Sequence, residues 1–543
     1  MEAISAVPTT IKKLFNDTFI IPEFQRPYSW EEEECEQLWV DFLNFHTGNA
    51  SQKEQYFLGN IVIYPNSDKT LSLIDGQQRI TTLSLLIKCL HLKAGTYKAL
   101  ENCLKISDQK TGDFTENLKL TSLVLDEDKK SFKEIILQGG VNSDIENIFK
   151  RNFLHLQTLV SEWWNSCAHN SDCLDNLIND LLENVVILPI TCSSEDDALT
   201  IFETLNNRGR SLSDTDIFKA KLYKTSQDKG VFIDEWNALE EHGWLFRIHM
   251  HVLRAKNKDT SKEIGLRTYF SDETKLQKDS VFLFESLKIY QAFFKSQISV
   301  KADSIWKILD NYPNHYWCFP LYVFTRKYGA INKHGELFLT QQNTLKLEKL
   351  MEELLRFCIV KGTVYNSVNT IKDTIFNLSS QIWNEIDYLE PLKKSYQNDI
   401  SQFKEKIKAS NFGRYLRVIV LTLAYKNPVQ NEDEFNEILD KKYDIEHILP
   451  KKWAHYDKWD EKSWEAHLNS LGNLVLCEKK YNIQAQNSFF TRKQDVYKLS
   501  KIQDILDLTK KVQKHWYPED VTKRTKDSIQ RLDDFIDNSK QLK

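Results

Sequence analysis

The residues best suited to chemistry lie between Lys441 and Lys493. They read KKYDIEHILPKKW and, after a polar stretch, SLGNLVLCEKKYNIQAQNSFFTRK. Tyr443 to Leu449 predicts a short strand with Glu446 and His447 side by side. Pro450 ends it, because proline cannot donate to a continuing ladder. Leu471 to Cys477 predicts a second strand around a Gly472 turn, and Glu478 to Gln486 has helical composition. The order strand, loop, strand, helix puts His447 on the first strand, Asn473 at the mouth of the second and Asn482 on the helix.

Phosphodiester hydrolysis needs a base to deprotonate water, and an imidazole that is neutral near pH 7 suits that task. It also needs a divalent cation to neutralise charge at the phosphate and the leaving oxygen. Mg²⁺, or Mn²⁺ in its place, prefers hard oxygen donors and keeps several waters. Glu446 and Asn482 are the expected donors. Asn473 is expected to hold either the imidazole or its loop in register. No paired Cys-x-x-Cys flanks the unit, so no zinc knuckle is expected.

A second group lies near the N-terminus. TLSLI predicts a strand, Asp75-Gly76 breaks it, and QQRITT leads into the apolar helix LSLLIKCLHL, with Thr81 or Thr82 as the expected cap. A strand passing through an Arg-bearing loop into a helix N-terminus can bind an anion. Asp75 could then hold a metal or orient water, and Gln77, Gln78 and Arg79 could meet phosphate oxygens. No G-x-x-x-x-G-K-[ST] occurs, which excludes a P-loop NTPase.

The pattern DIEHILP…LGNL…N…N…K, with its two Asn nine residues apart (482 − 473), resembles the HNH (His-Me finger) nuclease domain of GmrSD-type, modification-dependent type IV restriction enzymes. The resemblance implies His447 as general base, Glu446 and Asn482 near the metal, and Asp444, Asn487 and Lys493 as accessory positions. Many HNH domains carry His where Asn482 stands, a departure that Mg²⁺ tolerates. IPEFQRPYSW together with DGQQR resembles the N-terminal ParB/sulfiredoxin-like domain of the same family. That implies a nucleotide-binding or -hydrolysing site at Asp75, Gly76, Gln77, Gln78 and Arg79, with Gln25, Arg26, Asn207, Arg208 and Asp216 as companions. The implied function is a nucleotide-regulated DNA endonuclease acting on modified phage or foreign DNA. Two alternatives stand beside it: a nucleotide-sensing DNA-binding regulator with an inactive nuclease unit, and an RNA-directed nuclease toxin.

The elements that must position these groups follow from composition and periodicity. At 543 residues the chain exceeds one core, and 41% hydrophobic residues are ample for packing. Scarce Gly and abundant Leu, Ile, Lys and Glu favour an α+β, predominantly helical fold. Three parts are expected: a nucleotide domain over 1–225, a helical linker-scaffold over 226–400 and the nuclease over 401–543. Two prolines hold FIIPEFQRPYSW extended, and Glu31 to Phe45 predicts a helix with Cys35, Leu38, Trp39 and Phe42 on one face. His249 and His251 alternate as ligands would but lack a second pair, so a structural role is expected.

A formal charge of −5 excludes a uniformly basic nucleic-acid binder and leaves local clusters for double-stranded DNA: Lys451–Lys452, Lys479–Lys480 and Lys523–Arg524–Lys526. Nine cysteines without paired spacing favour reduced thiols and a cytoplasmic location. No apolar run is long enough for a membrane span. A homodimer is expected, since duplex cutting by one-site nucleases often uses two subunits.

Overall fold

The computed structural model describes residues 5–48, 55–95, 97–108, 110–124, 129–140, 147–206, 213–271, 274–277, 280–452, 459–511 and 515–537. It is α+β and predominantly helical, and it divides into two compact units, Met1–Ala238 and Leu239–Lys543.

The first unit is built on a mixed sheet of seven strands. Its main members are β1 (Phe19–Ile21), β2 (Tyr56–Pro65), β3 (Leu71–Asp75), β4 (Leu120–Ser122) and β5 (Val185–Thr191), in the order β5-β2-β3-β1-β4. Short strands Ser5–Ala6 and Thr9–Thr10 add to β5. β2 and β3 pair antiparallel, while β1 runs parallel to β3 and β4. Helices α1 (Glu32–Thr47), α2 (Gln77–Ala94), α3 (Lys129–Gln138) and α4 (Ile148–Ser166) pack with this sheet in one core. The expected apolar face of α1 is buried there.

The β3–α2 junction differs from expectation. Helix α2 starts at Gln77, so Arg79 sits in its first turn, and Thr81 and Thr82 lie inside the helix rather than capping it. The cap is Gly76, at φ 86°. A side chain there would be strained in this left-handed region, and a Cβ would sit 2.5 Å from Ile61 Cγ2. Nearly every residue of α2 from Gln77 to Leu90 is buried, which removes the polar stripe that sequence periodicity relies on.

The second unit merges the expected linker-scaffold and nuclease. The division between 400 and 401 falls in the helix Ile400–Lys408, and one core spans both sides of it. Asn311 donates to the Tyr443 hydroxyl, Ser304 to Asn436, and Arg356 on the long helix α5 (Gln341–Tyr365) to the Phe535 carbonyl at 2.7 Å. The middle helices are therefore the wall on which the C-terminal elements rest. His249 and His251 are buried, and His251 stacks on Phe319 with ring centroids 3.8 Å apart. Burial lowers both to about 3, so they are neutral packing groups.

Candidate active site

The chemistry-bearing pair of strands forms as the sequence predicts, with shorter bounds. β6 (Tyr443–His447) and β7 (Leu474–Glu478) pair antiparallel with Glu446 opposite Val475 and His447 opposite Leu474. Helix α6 (Glu461–Leu468) precedes a short 3-10 turn at Leu471–Asn473. Helix α7 (Lys479–Ala485) follows β7, and α8 (Phe490–Tyr497) and α9 (Pro518–Ile536) come later. Neighbours on a strand point to opposite faces, and Glu446 and His447 accordingly find different partners.

The His447 imidazole meets Asn469, with Nε2 3.2 Å from Oδ1. With that oxygen as acceptor, Nε2 carries the proton and Nδ1 keeps its lone pair. Nδ1 is buried and has no hydrogen-bond partner among the described residues. Burial lowers the imidazole pKa to about 4; the Asn469 contact partly offsets this, and the Lys451 and Lys493 charges add to it. At pH 7 His447 is a neutral base.

Glu446 is buried, and its Oε1 accepts from Lys493 Nζ at 2.6 Å and from the Tyr497 hydroxyl at 2.8 Å, both on α8. Lys493 is 1% exposed and also donates to the His447 carbonyl at 2.6 Å. Burial pushes its ammonium pKa down, and Glu446 opposes that shift. One ammonium thus holds the carboxylate and the backbone of the imidazole together, a role the sequence motif left undefined. Glu446 Oε2 has no hydrogen-bond partner among the described residues.

Asn473 acts on the loop and not on the imidazole. Its Oδ1 accepts from Leu449 N at 2.6 Å, and its Nδ2 donates to Leu449 O at 3.3 Å and Leu468 O at 2.8 Å. That amide is fully used, so Asn473 is a positioning residue rather than a catalytic one, and Asn469 is the residue that meets His447. Arg524, expected in a DNA-binding cluster, donates instead to the carbonyls of Leu471, Gly472 and Leu474. Gly472 is required where α9 crosses: a Cβ would lie 2.0 Å from Val521 O and 2.5 Å from Thr525 Oγ1. Gly472→Ala is expected to destabilise the protein by at least about 1–3 kcal/mol. A thermal melt that matches wild type would show that the contact is relaxed in solution.

The remaining expected residues are spread around this centre. Asn482 lies half-buried on α7, its side chain without a hydrogen-bond partner among the described residues, and α7 packs on β6. Asp444 faces Arg417 at 3.7 Å. Asn487 lies exposed in the turn after α7. Lys451, Lys452, Lys479 and Lys480 are exposed, as are Lys523 and Lys526.

In the first unit, the DGQQR side chains grip their own chain. Gln77 Nε2 donates to Arg26 O at 3.2 Å. Gln78 donates to Pro27 O at 3.1 Å and accepts from Ser29 N at 2.8 Å, while Gln25 donates to Ile74 O at 3.0 Å. Arg79 donates to Asn60 O at 2.9 Å against Gly59. Burial raises the Asp75 carboxyl, opposed by the Gly76 amide and by Arg79 and Arg26. These contacts pin the IPEFQRPYSW segment against β3 and α2; it is not extended throughout, since it turns at Glu23–Gln25, where Gln25 N donates to Pro22 O at 3.1 Å. Gln78→Leu would remove the partner of the Pro27 carbonyl and of the Ser29 amide, and the loss of two hydrogen bonds is expected to cost about 1–3 kcal/mol in chemical denaturation; an unchanged midpoint would contradict the clamp.

Beside the clamp lies a cavity of about 400 Å³. Arg26, Gln77 and Gln78 line it, whereas Gln25, Asp75, Gly76, Arg79 and Asp216 do not. Asp216 is occupied in the helix cap made by Ser213. Asn207 and Arg208 lie outside the described residues.

Residues 11–223 match the GmrSD restriction endonuclease N-terminal domain, and residues 391–530 match the GmrSD restriction endonuclease C-terminal domain. No curated protein matches the chain. The two matches cover more than half of the chain and take in the DGQQR clamp and the Glu446–His447 hairpin respectively, so the chain belongs to the GmrSD restriction endonuclease family.

Proposed function

We propose that this restriction-family endonuclease hydrolyses phosphodiester bonds of double-stranded DNA at an HNH-type site, with His447 as general base, a divalent cation, and control by a nucleotide in the first unit. The carrying observation is the His447 imidazole: neutral, tethered through Nε2 to Asn469, with an unpartnered Nδ1. In this reading Nδ1 takes the proton of a water as its oxygen attacks phosphorus. Lys493 and Tyr497 fix one oxygen of Glu446, leaving Oε2 as a donor alongside the Asn482 amide oxygen. Both are hard oxygens of the kind Mg²⁺ or Mn²⁺ takes. When bound, the cation neutralises charge developing on the phosphate and the leaving oxygen. The exposed Lys451 and Lys452, two steps past Leu449 and Pro450, bring positive charge to DNA near His447.

Control by nucleotide is supported by the cavity beside DGQQR, whose volume and mixed lining suit a nucleoside phosphate. A modified phage DNA substrate, a homodimer and a cytoplasmic setting complete the reading. No helix among the described residues is long and apolar enough to cross a membrane.

The test is cleavage of modified and unmodified phage DNA by wild type and Arg26→Ala, a change in the cavity lining, with Mg²⁺ or Mn²⁺ and each nucleoside triphosphate. Metal-dependent cutting whose nucleotide response is lost in Arg26→Ala is the expected result. Tight DNA binding without cutting in every lane would replace the proposal with the regulator reading. Cutting confined to RNA would replace it with the toxin.

A further inference from the structure

The cavity beside DGQQR has an apolar body and a charged rim. Tyr28 and Phe149 stack in its wall at 4.8 Å between centroids, and Phe132 meets Phe149 at 5.6 Å. Ile20, Leu118 and Leu120 supply further apolar surface. Three cations line the same space: Arg26, from the clamped segment, and Lys130 and Lys133 on α3. The lysines are three residues apart, which places them on one face of that helix. All three are exposed, and none has an ion-pair partner among the described residues. Glu116 is the only carboxylate in the lining among the described residues.

The arginine of DGQQR is placed differently. Arg79 does not line the cavity, and its NH1 is bonded to the Asn60 carbonyl. Burial lowers its pKa, with Asp75 and Tyr56 opposing the shift. A half-buried arginine bonded to its own sheet acts as a strut; a phosphate needs cations with free N–H donors at the mouth of the pocket.

We infer that Lys130 and Lys133 of α3, with Arg26, form the phosphate-binding edge of a nucleoside triphosphate site in this cavity, and that Arg79 supports the wall without touching the ligand. The inference rests on the nucleotide reading above and adds to it two residues outside every motif. The aromatic and aliphatic wall takes the flat base, and the three cations face the anionic tail. The side chains of Gln77 and Gln78 keep the cavity wall in place by holding the backbone of Arg26 and Pro27. Net positive charge at the rim also predicts that triphosphate binds more tightly than the bare nucleoside, with an excess that falls as salt rises.

The experiment is equilibrium binding to the full chain by calorimetry, using ATP, GTP and the nucleosides adenosine and guanosine. It compares wild type, Lys130→Ala/Lys133→Ala and Lys130→Arg/Lys133→Arg. The alanine pair is expected to weaken triphosphate binding about 100-fold, at about tenfold for each ammonium removed. Nucleoside affinity and the melting curve should stay at wild-type values. The arginine pair should retain triphosphate affinity. Wild-type binding of triphosphate that the alanine pair matches would overturn the inference and leave the nucleotide reading standing. Failure of wild type to bind any of the four compounds would overturn both. Equal losses for triphosphate and nucleoside in the alanine pair would also overturn it, because that pattern reports a damaged cavity and not a phosphate edge.

Discussion

His447→Ala is expected to abolish detectable DNA cleavage while leaving the protein folded. Removing a positioned general base costs about 10²–10⁴-fold in rate, and the imidazole contributes one side-chain hydrogen bond, to Asn469. Cleavage at the wild-type rate would remove His447 from the mechanism, whatever the melting curve shows. Glu446→Gln is a useful companion, because it keeps the shape of the buried side chain and removes its charge. Under the proposed division of roles, the His447 variant fails even at high Mg²⁺, and the Glu446 variant shows a raised metal requirement.

The environment of His447 also fixes a pH dependence. Its pKa of about 4 keeps the free imidazole neutral across the range where an ordinary histidine, near 6.5, would titrate. Lowering the pH from 8 to 6 would protonate about three-quarters of an ordinary imidazole but leaves this one able to accept a proton. The expected kcat/KM profile therefore has no acid limb near 6.5 from this group. An acid limb there in the wild-type profile, matched by an NMR titration of the His447 imidazole near 6.5, would show that the imidazole is more hydrated than the structure has it. For stability the sign is the same as for an acid paired with a cation, because both groups have a lower pKa in the folded chain. Between about pH 6.5 and 4 the unfolded chain takes up a proton at His447 that the folded chain refuses, so folding weakens as pH falls through that window.

The strand pair that carries Glu446 and His447 was legible because its signals are local. Pro450 stops a strand, Gly472 marks a turn, and the spacing between Asn473 and Asn482 carries one strand and half a helix. Asn469 and Arg524 escaped because neither belongs to that spacing. Arg524 acts from α9, fifty residues beyond the loop whose carbonyls it ties (524 − 474), and its neighbours Lys523 and Lys526 made it read as surface charge. For Asn473 the sequence left two roles open, the imidazole or the loop, because its partners depend on the return path of Leu449; the structure bonds it to the loop. The DGQQR stretch misled in a related way. Its polar letters suggested side chains reaching a ligand, yet α2 is buried almost all round, and those groups satisfy backbone atoms of the IPEFQRPYSW segment. The cations that do face the cavity include two on α3, a helix with no motif. The expected division at residue 400 lies inside one compact unit, because helical periodicity cannot say which helices pack together; Tyr443 bonded to Asn311 and Phe535 to Arg356 answer that through contacts distant in sequence.

Lys493 carries the second large effect. Its ammonium is bonded to Glu446 Oε1 and to the His447 carbonyl, both at 2.6 Å, in a site that excludes water from the ammonium. Lys493→Met preserves the apolar stem but leaves the Glu446 carboxylate with only the Tyr497 hydroxyl and the His447 carbonyl without its donor. Removing one member of a buried ion pair typically costs about 3–5 kcal/mol, chiefly because the remaining charge is stranded. The melting transition of the second unit is expected to fall by about 5–8 °C. Adding Glu446→Gln should recover much of that loss, because a neutral amide can still meet Tyr497 without an ammonium. Cleavage should not recover in the double variant, since the carboxylate proposed to hold the cation is gone. Stability and activity would thus separate at a single pair of residues. A Lys493→Met protein that melts at the wild-type temperature would show that Glu446 is hydrated in solution. A double variant as unstable as the single one would place the cost in the unmet His447 carbonyl instead of the stranded charge.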